Sequence, residues 1–276
     1  MDRFDFCMWL LGGALGPPLL ASTAHAQVAG AAKLDVPAAV DLSGRLRMLS
    51  QRTTKAYLQW GQSIAAEEAR PLLHDSVARF ASHLAALKGF APQVVVQERL
   101  AALEVRWSDF QSLLLAGEPH RHGATALYDA SELLQTAAHR TTLAYEHLTS
   151  SPFNQWIGIA GRQRMLSQRM AKFYLFRTWD IHDSAAGMEL HLSRAHFTAV
   201  LKQLEGARLL DPQVRSAATR LRSVWKPCEE ALFAEGTPAQ LRLRAERVAR
   251  ESERVLAATE EEVVALLVAQ AREQQG

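Results

Sequence analysis

The chain has 276 residues, a formal net charge of +2 and 48% hydrophobic residues. That apolar content supports folded cores and excludes a disordered chain. The charge is too mild to argue for nucleic acid, and no basic block with interleaved aromatics occurs, so no nucleic-acid partner is expected.

The first element in chain order reads as an export signal. An uncharged apolar run, Met8 to Ala21, leads to Ala24-His25-Ala26, a small-x-small cleavage site. Residues 1–26 are therefore expected to be a signal peptide, with the mature chain starting at Gln27 in the periplasm. Ahead of the run only Arg3 stands against Asp2 and Asp5, which makes Met8 an alternative start. A membrane anchor is the rival reading, but the run is about fourteen residues, whereas a span needs about twenty. The membrane would be met only through this segment, if it is uncleaved. Of the two cysteines, Cys7 falls in the signal, which leaves Cys228 without an internal partner and fit for packing in a helix.

Beyond the signal everything reads as helix; Val94-Val95-Val96 is the one β-branched run. Four helices are expected at about 37–69, 71–88, 92–116 and 123–149, and four more at about 152–182, 185–205, 212–234 and 238–272. Ser151-Pro152, Asp211-Pro212 and Thr237-Pro238 each place a capping side chain before a proline at the first helical position. Gly89, Gly206 and Gly236 sit where helices should stop. The fold class is all-α: two tandem antiparallel four-helix bundles related by internal duplication. The first is assigned to residues 27–149 and the second to 150–276. The link Thr149-Ser150-Ser151-Pro152 is too short for a free tether, so the halves should touch.

The duplication is plainest in a motif that occurs twice, 117 positions apart. Leu42 to Leu58 reads LSGRLRMLSQRTTKAYL, and Ile159 to Leu175 reads IAGRQRMLSQRMAKFYL. Gly44/Gly161, Arg45/Arg162, Arg47/Arg164, Met48/Met165, Ser50/Ser167, Gln51/Gln168, Arg52/Arg169 and Lys55/Lys172 are all identical pairs. The likeness continues, Phe80 with Phe197 and Trp107 with Trp225 among others. A packing helix repeats its apolar spacing but not its arginines, so a repeated arginine set suggests a repeated task, most simply holding an anion. On a helical wheel, Leu42, Leu46, Leu49, Thr53 and Ala56 form the stripe toward the helix's own bundle. Arg47 and Gln51 turn away from it, while Arg45 and Arg52 flank it. A lone outward arginine is usually solvated or paired with a nearby carboxylate. Met48 and Leu58 beside Arg47 fit instead a contact between the two motif helices, which brings Arg47 and Arg164 toward a pseudo-twofold axis. Two guanidiniums about 6 Å apart repel by roughly 2.8 kcal/mol at an effective dielectric near 20. A planar oxyanion between them removes that cost and accepts forked bonds from both sides.

Gly-x-x-Arg-Met-x-Ser-x-Arg on the first helix of a four-helix bundle resembles the ligand box of nitrate/nitrite sensor histidine kinases. The fuller Ala-Gly-Arg-Gln-Arg-Met-Leu-Ser-Gln-Arg, residues 160–169, resembles the N-terminal domain of type IV pili methyl-accepting chemotaxis transducers (PilJ-type). The first copy departs with Ser43 for Ala and Leu46 for Gln. In the nitrate sensors the arginine before Met, one from each of two subunits, clasps one nitrate. The resemblance thus implies Arg47 and Arg164 as ligand-binding residues, with Gln51, Gln168, Ser50 and Ser167 beside them. Gly44, Gly161, Met48, Met165, Arg52 and Arg169 are further supporting candidates. Arg45 and Arg162 are additional to the nitrate box and either alter the ligand or bind carboxylates in the bundle. The family as a whole is not tied to nitrate.

Other chemistry finds little footing. His120 and His122 lie near Glu118, and His191 and His196 share a helix, but neither pair has ligand spacing, so no metal is expected. No nucleophile elbow, phosphate loop or cofactor motif occurs, so no cofactor is called and a non-enzyme is expected. Glu260-Glu261-Glu262 is expected to be a solvated face and the tryptophans to be core. The expected function is a periplasmic sensing protein that binds a small oxyanion, nitrate or nitrite first, and hands the signal to a separate protein partner. Its alternative is a helical interaction module of a pilus, chemosensory or envelope assembly without a small ligand. A homodimer, with the sites formed between chains, is a third arrangement.

Overall fold

A computed structural model of the chain describes residues 34–207 and 211–273, so the expected signal peptide lies outside the described residues. The described residues form eight helices, and no strand occurs among them. They are α1 (Val36–Gly61), α2 (Ala66–Lys88), α3 (Val94–Leu114), α4 (Arg121–Glu146), α5 (Pro152–Thr178), α6 (Asp183–Gly206), α7 (Pro212–Leu232) and α8 (Pro238–Glu273). In the first half α1 packs on α2 and α4, and α3 on α4. The second half repeats this, with α5 on α6 and α8, and α7 on α8. The result is a duplicated helical bundle.

The pairing of α1 with α5 is the most extensive helix–helix contact among the described residues. The two run side by side in the same direction. Near one end Gly44 and Gly161 each lie beside the same two arginine tips. At the other, Gln62 donates to the Leu175 carbonyl at 3.0 Å and Thr178 donates to Gln62 at 2.7 Å. The duplication is visible in the core as well. Phe80 and Trp107 stack with ring centroids 4.0 Å apart, and Phe197 and Trp225 meet at 4.5 Å. Cys228 is fully buried.

Three expectations need correction. The first helix does not run to residue 69. It ends at Gly61, because Ser63 (φ 54°) and Ala65 (φ 46°) take left-handed conformations that no α-helix can contain. The same turn recurs at Asp180 (φ 53°) and His182 (φ 49°), and Pro71 falls inside α2 instead of starting it. Ser151 makes no side-chain cap, so Pro152 alone marks the start of α5, whereas Asp211 does cap α7 by accepting from Gln213 N at 2.7 Å. The Glu260-Glu261-Glu262 run is not a solvated face. Glu261 is exposed, but Glu260 pairs with arginines and Glu262 is fully buried. Among the described residues no helix is long and apolar enough to cross a membrane.

Candidate functional site

Helix α1 is enclosed on all sides along the motif, with its own bundle on one face and α5 on the other. Arg47 is therefore 1% exposed and Arg164 0% exposed. The glycines of the motif make room for them. A Cβ on Gly44 would sit 3.3 Å from Arg47 Nη2 and 3.4 Å from Arg164 Nη2. A Cβ on Gly161 would sit 3.0 Å from Arg164 Nη2 and 3.4 Å from Arg47 Nη2. Both guanidiniums thus converge on the glycine faces where α1 meets α5, and Met48 and Met165, the next residues in the chain, are buried.

The two arginines differ in company. Arg164 donates Nη2 to Asp41 Oδ1 at 2.5 Å and Nη1 to Glu260 Oε2 at 3.1 Å. Burial alone would pull its pKa down, but Asp41 and Glu260 outweigh burial and hold it above its usual value. Arg47 donates Nη2 to the Gly158 carbonyl at 3.0 Å and Nη1 to His139 Nδ1 at 3.3 Å. Among the described residues it has no ion-pair partner. Burial pushes its pKa down to about 9, with Arg162 and Arg164 adding to the shift and Glu146 opposing it. It stays charged at neutral pH. His139 is held down to about 4 by burial and then by Arg47 and Arg162, so it is the neutral acceptor that an arginine donor needs. The Nε of each arginine is buried without an acceptor.

The remaining motif residues are engaged elsewhere. Ser50 and Ser167 donate to the carbonyls of Arg47 and Arg164, at 2.7 Å and 2.8 Å, inside their own helices. Gln51 donates to the Ser131 carbonyl on α4 at 3.5 Å, and Gln168 to the Ser252 carbonyl on α8 at 3.0 Å. Arg45 pairs with Asp41 and Glu260, so it binds carboxylates in the bundle. Arg52 pairs with Glu253 and Asp75, and Arg169 with Glu132 and Glu189. The structure therefore brings Arg47, Arg164, Gly44 and Gly161 together. It turns the serines, the glutamines, Arg52 and Arg169 to other partners.

Several neighbours were not legible beforehand. Lys55 and Lys172 are both 0% exposed, and each reaches into the opposite half. Lys55 bonds Ser252 at 3.1 Å and pairs with Glu253; Lys172 bonds Ser131 at 3.0 Å and pairs with Glu132. Their identity in both copies was the available signal. Asp41 and its counterpart Gly158 stand one position before the motif, where the copies differ. No group of metal-ligating side chains occurs among the described residues. The Nη atoms of Arg47 and Arg164 have partners, and one Nε–H of each is left as a buried donor without an acceptor.

Comparison with known families matches residues 33–138 and, separately, 149–248 to one family, the type IV pili methyl-accepting chemotaxis transducer N-terminal domain (PilJ). No curated protein and no solved structure matches the chain.

Proposed function

The chain belongs to the family of type IV pili methyl-accepting chemotaxis transducer N-terminal domains, which it carries in two tandem copies, and from that premise we propose that it is a periplasmic sensory module that binds one small planar oxyanion, nitrate or nitrite first, where α1 meets α5. The supporting observation is the convergence of Arg47 and Arg164, both buried and each with an Nε lacking an acceptor. An anion there would satisfy charge-assisted donors that the fold leaves open, each worth roughly 1.5–3 kcal/mol net. It would also bias the packing of one half on the other, a change that a separate protein partner could read.

Calorimetric titration of the protein with nitrate, nitrite, sulfate and chloride at fixed ionic strength tests this. Saturable heat at one site per chain is expected from nitrate or nitrite, and Arg47→Ala should weaken it by about two orders of magnitude while helicity is retained. Wild-type affinity in Arg47→Ala would end the proposal. A second reading has one observation in its favour. Arg164 is already neutralised by Asp41 and Glu260, as expected of an arginine that only fastens the halves together. Absence of saturable heat from every anion would favour that reading.

A further inference from the structure

The two sides of the α1–α5 contact are not electrically equivalent. On one side two carboxylates lie between Arg45 and Arg164. Asp41 accepts from Arg45 Nε at 3.0 Å and from Arg164 Nη2 at 2.5 Å. Glu260 accepts from Arg45 Nη1 at 3.0 Å and from Arg164 Nη1 at 3.1 Å. On the other side the equivalent positions are Gly158 and His139. Geometry fixes this correspondence. Arg47 Nη1 meets His139 as Arg164 Nη1 meets Glu260, and Arg47 Nη2 meets the Gly158 carbonyl as Arg164 Nη2 meets that of Asp41. The adjoining bonds, Gln51 to Ser131 and Gln168 to Ser252, keep the same register.

The Asp41 position is thus a glycine with the Glu146 carboxylate against it, and the Glu260 position is a histidine, so Arg47 and Arg162 are one carboxylate short. Arg162, half-buried, has no hydrogen bond or ion pair with any described residue. The carboxylate nearest in influence is Glu146, which a Cβ on Gly158 would strike. Arg47 and Arg162 both act on its charge, yet it forms an ion pair with neither. Two guanidiniums against one carboxylate leave one positive charge uncompensated, next to a buried Arg47 Nε without an acceptor. His139 and Arg162 are half-buried, which opens the cluster to solvent where Arg47 alone would be sealed.

Resting on the anion reading above, we propose that the ligand seats off the pseudo-twofold axis, between Arg47 and Arg162 and beside His139. It takes the place that Glu260 fills on the opposite side, bridging two guanidiniums, because Glu146 already fills the space beside Gly158 where the Asp41 side chain would stand. The side that carries its own carboxylates is an internal image of the occupied site, and it specifies the ligand: a planar monoanion presenting the two-oxygen edge of a carboxylate. Nitrate, nitrite and small free carboxylates share that edge. Arg162 is a binding residue in this arrangement, whereas Arg45, its twin, serves only the internal carboxylates.

The test compares Arg162→Gln, Arg45→Gln and His139→Glu, titrated with nitrate, nitrite, formate and acetate. The four anions distinguish an inorganic from an organic source. Arg162→Gln is expected to weaken binding about tenfold or more, the loss of a charge-assisted pair. Arg45→Gln should leave binding within a factor of about two. His139→Glu restores the missing carboxylate, so it should abolish anion binding and raise the melting temperature of the ligand-free protein. Binding by the wild type that survives both Arg162→Gln and His139→Glu would overturn the off-axis site while leaving the Arg47–Arg164 reading in place. No binding by the wild type would overturn both.

Discussion

Replacing Glu253 by alanine is expected to cost about 3 kcal/mol of stability, the lower end of what removing one partner of a buried pair costs. Glu253 on α8 accepts from Arg52 Nη2 at 2.6 Å and pairs with Lys55, which is 0% exposed. Burial tends to raise its pKa, but Lys55 and Arg52 overcome this and hold it down to about 2. The glutamate is itself 31% exposed, and solvent screening is the reason for choosing the lower figure. Without it Lys55 keeps only the Ser252 hydroxyl, and an ammonium is left in the seam between halves. For a chain of this size the melting temperature should fall by roughly 6–12 °C. Thermal unfolding of Glu253→Ala beside the double variant Glu253→Ala, Lys55→Met checks the cause, since removing the stranded charge should recover most of the loss. A double variant no more stable than the single one would show that the ammonium is not what the glutamate serves.

Glu262 should make the protein less stable as pH rises. It is fully buried on α8, and neither carboxyl oxygen has a hydrogen-bond partner. Burial, and then Glu205, push its pKa up to about 8 from the ordinary 4.5. The folded protein keeps this proton where the unfolded chain has released it. The contribution is therefore complete below about pH 4.5, is lost as pH rises, and levels off above about pH 8. At 1.36 kcal/mol per pKa unit the whole loss is on the order of 5 kcal/mol. Denaturant unfolding of wild type and Glu262→Gln at pH 5, 7 and 9 would measure it. The variant should lose far less stability across that range. Parallel curves would assign the pH dependence to other groups.

Much of the fold was legible because the helix signals are local. Asp211-Pro212 needs no distant residue to start a helix, and the repeated motif announced the duplication. The end of α1 was not legible, because Ser63 and Ala65 adopt left-handed conformations without a glycine to signal them. The wheel gave directions, and it turned Arg47 away from its own bundle, toward what the structure shows to be α5. It could not supply partners that lie two hundred residues away, as Glu253 does from Arg52. The burial of Glu262 was within reach. Successive helical residues turn by 100°, so three glutamates in a row cannot share one solvated face. The electrical inequality is not legible in the motif itself, because the motif is where the copies agree, whereas Asp41 and Gly158, like Glu260 and His139, are where they differ.

The side-by-side packing of α1 and α5 has a consequence for inheritance. Two identical chains meeting through such a helix must present every substitution twice, once on each side of the axis. Here the two helices are written by separate codons of one gene. An aspartate can stand at 41 while a glycine stands at 158, and neither choice commits the other. Joining the halves in one chain therefore lets selection reshape one face of the contact while the opposite face stays as it was.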